Sequence, residues 1–153
     1  MRRKARYLAA LIAMCVGPGA AMAGSTQQCL SQKELSHVAR MGSVMGIGGA
    51  LNRCGRCLGE RYKETVRSYE ENLLVEFRRA EASITRDRPN FAYADDLVRM
   101  TARSYAFDMS SNCDACKALA DTVARIIAED ARSGFYAEAA EKVSKLPSFK
   151  LCD

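Results

Sequence analysis

The most regular alternation of apolar and polar positions in the chain lies between residues 57 and 85. Leu58, Tyr62, Val66, Tyr69, Leu73, Phe77, Ala80 and Ile84 follow one another at intervals of 4, 4, 3, 4, 4, 3 and 4. That is the period of a single buried helical face, held for about eight turns. Between them stand charged pairs at i+3 or i+4, Glu64/Arg67, Arg67/Glu71 and Glu76/Arg79. Such pairs mark a solvated face and stabilise it by only a few tenths of a kcal/mol each. The pattern predicts one long helix over 57–85, opened by Arg53-Cys54-Gly55-Arg56-Cys57. It ends before Arg88-Pro89, because the residue preceding a proline is pushed out of the helical region.

Shorter patterns surround this one. Ser31-Gln32-Lys33-Glu34 has the form of a capping box, with Leu30 and Leu35 placed as a hydrophobic staple. Residues 41–51 are apolar and glycine-rich, and Gly42, Gly46, Ala50 and Cys54 recur every fourth position. On a helix they form a smooth stripe along which another helix can approach closely. Each glycine costs about 1 kcal/mol of helix propensity relative to alanine, so packing must compensate or the helix kinks or breaks there. The other reading of the segment is a binding surface built on Gly42, Met45, Gly46 and Ile47. A phosphate loop is excluded, since the spacing is not G-x-G-x-x-G and no strand precedes it.

Downstream, Val98, Ala102, Tyr105 and Met109 define a helix over 93–109, with Asp95 and Asp96 in its first turn, and Ser110-Ser111-Asn112 breaks it and caps the next. The next helix is expected over 113–132, with Cys116, Leu119, Ala120, Val123, Ile126 and Ile127 inward and Ser133-Gly134 as its C-terminal cap. A short helix over 135–145 stops before Pro147. No stretch alternates with period two. The chain reads as one all-α domain, a small disulfide-stapled bundle of four to five helices.

The first 23 residues stand apart from this domain. Arg2, Arg3, Lys4 and Arg6 precede a short apolar core, and Ala21-Met22-Ala23 has the form of an A-x-A cleavage site. Residues 1–23 read as a cleaved export signal and 24–153 as the domain, which places the protein in the periplasm or outside the cell. The apolar core falls short of the roughly 20 residues that span a bilayer, so no transmembrane segment remains after cleavage. Removing the signal changes the electrostatics. The whole chain has 23 Lys+Arg against 18 Asp+Glu, and four of the basic residues and none of the acidic ones lie in the signal. The remainder is nearly neutral, and a nucleic-acid partner loses its main support.

Six cysteines remain beyond the signal, Cys29, Cys54, Cys57, Cys113, Cys116 and Cys152. An even number in an exported chain implies a disulfide framework, although six cysteines allow 15 connectivities. Both C-x-x-C pairs are expected at helix starts. If the long helix runs up, the next returns and the one after begins at its end, both pairs meet at one end of the bundle. Cross-links such as Cys54–Cys116 and Cys57–Cys113 then become possible, which would leave Cys29 and Cys152 to join the domain's ends. Closing a loop of about 60 residues stabilises by roughly 4 kcal/mol, against roughly 2 for a four-residue loop. Two alternatives are a redox couple of Cys54 and Cys57, its thiolate favoured by a helix N-terminus and by Arg53 and Arg56, and a four-thiolate zinc site. The redox motif lacks its usual βαβ setting, and the wide interval and oxidising destination disfavour zinc.

Other chemistry is sparse. His37, the only histidine, reads as a surface or boundary residue, and Asp95-Asp96 diverge on a helix rather than forming a carboxylate pair. Tyr62, Tyr69, Phe77, Tyr93, Tyr105 and Phe107 read as core and boundary aromatics. Six cysteines on amphipathic helices resemble saposin-like proteins, and the paired motifs resemble twin-cysteine helical hairpins. The order one, pair, pair, one departs from the former, and the short intervals and export signal depart from the latter. No residue role is carried over. The expectation is a protein that acts by binding another protein, as an inhibitor, immunity, accessory or chaperone-like factor, without cofactor or metal and without catalysis. A thiol–disulfide oxidoreductase using Cys54/Cys57 is the alternative. Apolar-ligand or membrane-surface binding through residues 41–51 is the third.

Overall fold

A computed structural model describes residues 28–86 and 91–152. The expected export signal over 1–23 and the Arg88-Pro89 break lie outside the described residues. The described chain forms α1 (Gln32–Leu58), α2 (Arg61–Ser68), a π-helical turn (Tyr69–Leu73), α3 (Leu74–Arg86), α4 (Phe91–Ser110), α5 (Cys113–Ile127) and α6 (Glu129–Ser144). Among the described residues no helix is long and apolar enough to cross a membrane.

α1 begins at the expected capping box. The Ser31 hydroxyl accepts from the Glu34 amide at 3.3 Å, and the Ser31 amide donates to the Glu34 carboxylate at 2.8 Å. The staple residues Leu30 and Leu35 are both buried. The helix then continues through the glycine-rich segment without a break and ends only at Gly59. There φ is 54° and ψ −126°, a conformation open to glycine and strained for other residues. The C-x-x-C motif at Cys54 and Cys57 therefore closes α1 instead of opening the long helix, which starts at Arg61. Glycine's poor helix propensity is overridden because α4 packs directly on the glycines. A Cβ on Gly42 would lie 2.6 Å from the Thr101 Cβ, and one on Gly46 would collide with the Tyr105 Cβ.

Contacts fix the directions of the remaining helices. Gly55 faces Tyr62, Val44 bonds Tyr69 and Arg40 bonds Glu76, so α2, the π turn and α3 form one descending rod. Gly42 meets Val98 and Thr101, Gly46 meets Ala102 and Tyr105, and Gly49 meets Ala106, so α4 rises parallel to α1. Asn112 caps α5 by accepting from the Ala115 amide at 2.8 Å. α5 descends past the upper half of α1, turns at Ala128, and α6 continues past the lower half, with Arg40 stacked 4.9 Å over the Tyr136 ring. The result is an up-down-up-down bundle with α1 as its most covered helix, in which the second and fourth rods are segmented. Gly134 lies within α6 and does not cap α5, because the break falls earlier, at Ala128.

The core forms two continuous clusters. The lower gathers Leu30, Val38, Ile84, Leu97, Val98 and Val143, and the upper gathers Val44, Ile47, Leu51, Leu73, Leu119 and Val123. Phe77, Met109 and Phe135 touch both. Each fully buried aliphatic side chain stabilises by about 1.5–3 kcal/mol over its exposed state. Glu76, read from sequence as part of a solvated face, is turned inward. Its carboxylate bonds Arg40 at 3.0 Å and lies 3.4 Å from Arg79 and 3.9 Å from Arg132. Arg132 also donates to the Ile126 and Ile127 carbonyls, so one carboxylate joins α1, α3 and the α5–α6 corner.

Three disulfides close the structure: Cys29–Cys152, Cys54–Cys116 and Cys57–Cys113. The first joins the two ends, where Leu30 donates to Lys150 and accepts from Cys152, both at 2.9 Å. The Tyr93 hydroxyl donates to the Ser148 carbonyl and accepts from the Lys150 amide at 2.7 Å. The other two rivet the upper end of α1 to the start of α5.

Candidate functional site

The sequence-derived surface on residues 41–51 divides once folded. Gly42 and Gly46 lie against α4 and Ile47 is fully buried, so these three form no surface; only Met45, 39% exposed, reaches solvent. The bundle covers α1 on the remaining sides but leaves one strip open, carrying Met45, Gly48, Gly49, Asn52 and Arg53. Because two of these residues have no side chain, the strip is sunk between its neighbours, and a groove runs on each side of Met45.

The groove toward the descending rod has a volume of about 530 Å³ and is walled by Val66, Tyr69, Leu74 and Phe77, with Glu70 at its rim. Gly48 lets the Tyr69 hydroxyl reach the Val44 carbonyl, to which it donates at 3.2 Å. Burial, and secondarily the Glu70 carboxylate, raise the Tyr69 pKa and keep this hydroxyl a donor. Tyr69 opens the π turn, where the Leu74 amide bonds five residues back to the Tyr69 carbonyl. Single π turns inside α-helices are often found at functional sites.

The groove toward α4 is larger, about 630 Å³, and open to solvent along its length. Gly49, Ala102 and Ala106 form a flat floor, and Met45 and Phe107 stand as apolar walls. Phe107 is 68% exposed, well beyond any other large hydrophobic side chain described. Its expected core or boundary placement fails because it lies off the buried stripe of Val98, Ala102, Tyr105 and Met109. The signal that finds it is another spacing of four: Asp95, Arg99, Arg103 and Phe107 make a second stripe beside the buried one, drifting away from it toward Phe107. Arg53 of α1 joins that stripe across the groove. Arg99 pairs with Asp95 at 2.8 Å, and among the described residues neither Arg53 nor Arg103 has a carboxylate partner. The rim therefore holds three guanidinium groups against one carboxylate.

The cysteines are not placed for thiol chemistry between neighbours. Each member of a C-x-x-C pair bonds a different member of the other pair, so Cys54 and Cys57 do not form a couple. The pair also sits at a helix C-terminus, where the dipole disfavours a thiolate. With all four sulfurs in disulfides, none is left as a zinc-binding thiolate. His37 lines neither groove. Compared with protein-family models, curated proteins and solved structures, the chain finds no match. Its function is therefore read from its own residues.

Proposed function

We propose that this is an exported, disulfide-stapled helical protein that acts by binding another protein through the open strip of α1 and the two grooves beside it. The observation that carries the reading is Phe107. A phenylalanine 68% exposed stands beside a floor of glycine and alanine and opposite an exposed methionine, so the apolar side chains here are grouped around one groove instead of scattered. Aromatic, Met and Arg side chains are those enriched in the cores of protein interfaces. Three disulfides support an oxidising destination such as the periplasm, where such cross-links form and persist.

The test is a photo-reactive amino acid placed singly at Phe107, Met45 and Val75 in the cells that produce the protein. Val75 is an exposed apolar residue of α3 that lines neither groove. Adducts with another protein are expected from Phe107 and Met45 and not from Val75. Adducts from Val75 alone, or from none of the three, would overturn the reading.

A further inference from the structure

We infer that the occupant of the α1–α4 groove is an amphipathic helix of the partner, apolar on one side and acidic on its flanks. The inference rests on the protein-binding reading above.

The groove's length comes first. Asp95 and Phe107 bound it along α4, and twelve residues at 1.5 Å per residue give roughly 18 Å, about three helical turns. Its floor has no side chain larger than a methyl at Gly49, Ala102 and Ala106, so a guest helix can settle to the 8–10 Å axial distance of close-packed helices. Met45 and Phe107 then fill the gaps between the guest's side chains at i, i+4 and i+7.

Backbone chemistry excludes a guest added as a β-strand. Strand addition needs a sheet edge with unpaired amide and carbonyl groups, and both walls here are helices whose groups are bonded internally. A small molecule fits poorly as well, because ligand pockets bury about 70–90% of their ligand and this groove is open along one side. Charge chooses among guest helices. Arg53 and Arg103, with Arg99 held by Asp95, favour Asp or Glu on the guest and oppose Lys or Arg. Exposed guanidiniums act mainly on association rate and partner choice, so the acidic flank sets specificity while Met45 and Phe107 supply affinity.

The experiment maps the adduct formed at Phe107 to its peptide in the partner, then titrates the purified partner against the wild type and against Arg53→Glu/Arg103→Glu. The expected result is a helical segment with apolar residues every three or four positions and acidic flanks. Binding should weaken with added salt, and charge reversal should lower it about tenfold or more with the thermal midpoint unchanged. A basic or extended segment at the cross-link overturns the inference and leaves the protein-binding reading standing. Charge reversal that leaves affinity and salt dependence as in the wild type does the same. An adduct with lipid in place of protein, or no adduct at all, overturns both.

Discussion

Replacing Gly46 by alanine adds one methyl group to the most crowded line of the molecule. Its carbon would collide with the Tyr105 Cβ and stand 3.0 Å from the Ala102 carbonyl oxygen and 3.4 Å from the Ala102 Cα. None of these atoms can rotate away, since two are backbone and the third is fixed to it, so α1 and α4 must separate. Overpacking of this kind costs about 1–3 kcal/mol, and rigid neighbours place it toward the upper end. The gain in helix propensity offsets about 1 kcal/mol of that. Gly46→Ala should therefore destabilise by about 2 kcal/mol. Gly134 supplies the control, because it lies within α6 and an added Cβ there meets nothing within 4 Å. Gly134→Ala should stabilise by about 1 kcal/mol. Urea unfolding with the disulfides intact measures both. With a slope of about 2 kcal/mol per molar, the Gly46→Ala midpoint should fall by about 1 M and the Gly134→Ala midpoint rise by about half that. A Gly46→Ala midpoint equal to or above that of Gly134→Ala would refute the close-packing account of α1.

Further outcomes follow from burial and charge. Cys57 is half-buried and Cys113 exposed, whereas Cys54 and Cys116 are buried, so graded reduction followed by mass tagging should open Cys57–Cys113 first; simultaneous opening would contradict this. Removing both rivets by changing Cys54, Cys57, Cys113 and Cys116 to serine, which leaves no free C-x-x-C pair, should cost at least the roughly 2–5 kcal/mol of one native disulfide without abolishing any disulfide-reductase activity, checked by unfolding and by insulin reduction. Glu76→Gln leaves Arg40 and Arg132 facing a neutral amide; with both arginines about a third exposed the loss should be about 1–2 kcal/mol, and an unchanged midpoint would exclude a structural role for the cluster. Burial pushes the Tyr136 pKa up to about 12 from its ordinary 10.0 and raises those of Tyr105 and Tyr69 as well. The folded state holds these protons more tightly than the unfolded one, so the stability they contribute is complete below about pH 10 and declines as pH rises toward 12. A titration of near-ultraviolet tyrosinate absorbance should show these three ionising only with unfolding; ionisation at ordinary pH without unfolding would contradict it.

Much of this architecture is legible in the residues, and the failures have identifiable causes. The capping box and the staple depend on local chemistry, and the structure realises them; of the stripe over 58–84, Leu58, Leu73, Ala80 and Ile84 are buried while Tyr62, Val66, Tyr69 and Phe77 are half-buried. The alternation of helix directions brings the two C-x-x-C motifs to one end of the bundle, but the residues leave the connectivity open among fifteen, and the structure supplies the crossed pairing. The break between the first two rods is not legible in the residues because four glycines between 42 and 49 outweigh Gly59 on propensity alone. Only the neighbouring helix shows which glycines are packed and which one turns the chain. The π turn leaves no mark on a pattern of intervals of three and four. Met45 stands out within the apolar segment over 41–51, while the residues that share its groove, Arg53, Arg99, Arg103 and Phe107, lie on other turns and another helix. The stripe from Asp95 to Phe107 is present in the spacing, but its position beside the buried face becomes meaningful only once α4 is known to lie beside the exposed strip of α1.

The claim that the α1–α4 groove is the working face is tested most directly on the partner captured at Phe107. Its affinity should be measured for wild type and for Met45→Ser/Phe107→Ser, alongside the thermal midpoint of each. Both side chains already lie substantially in solvent, so the substitution should leave the midpoint within a degree or two. Loss of two central apolar anchors should weaken binding by about 2 kcal/mol or more, roughly thirtyfold. Undiminished affinity in a double variant that folds as the wild type does would contradict the account.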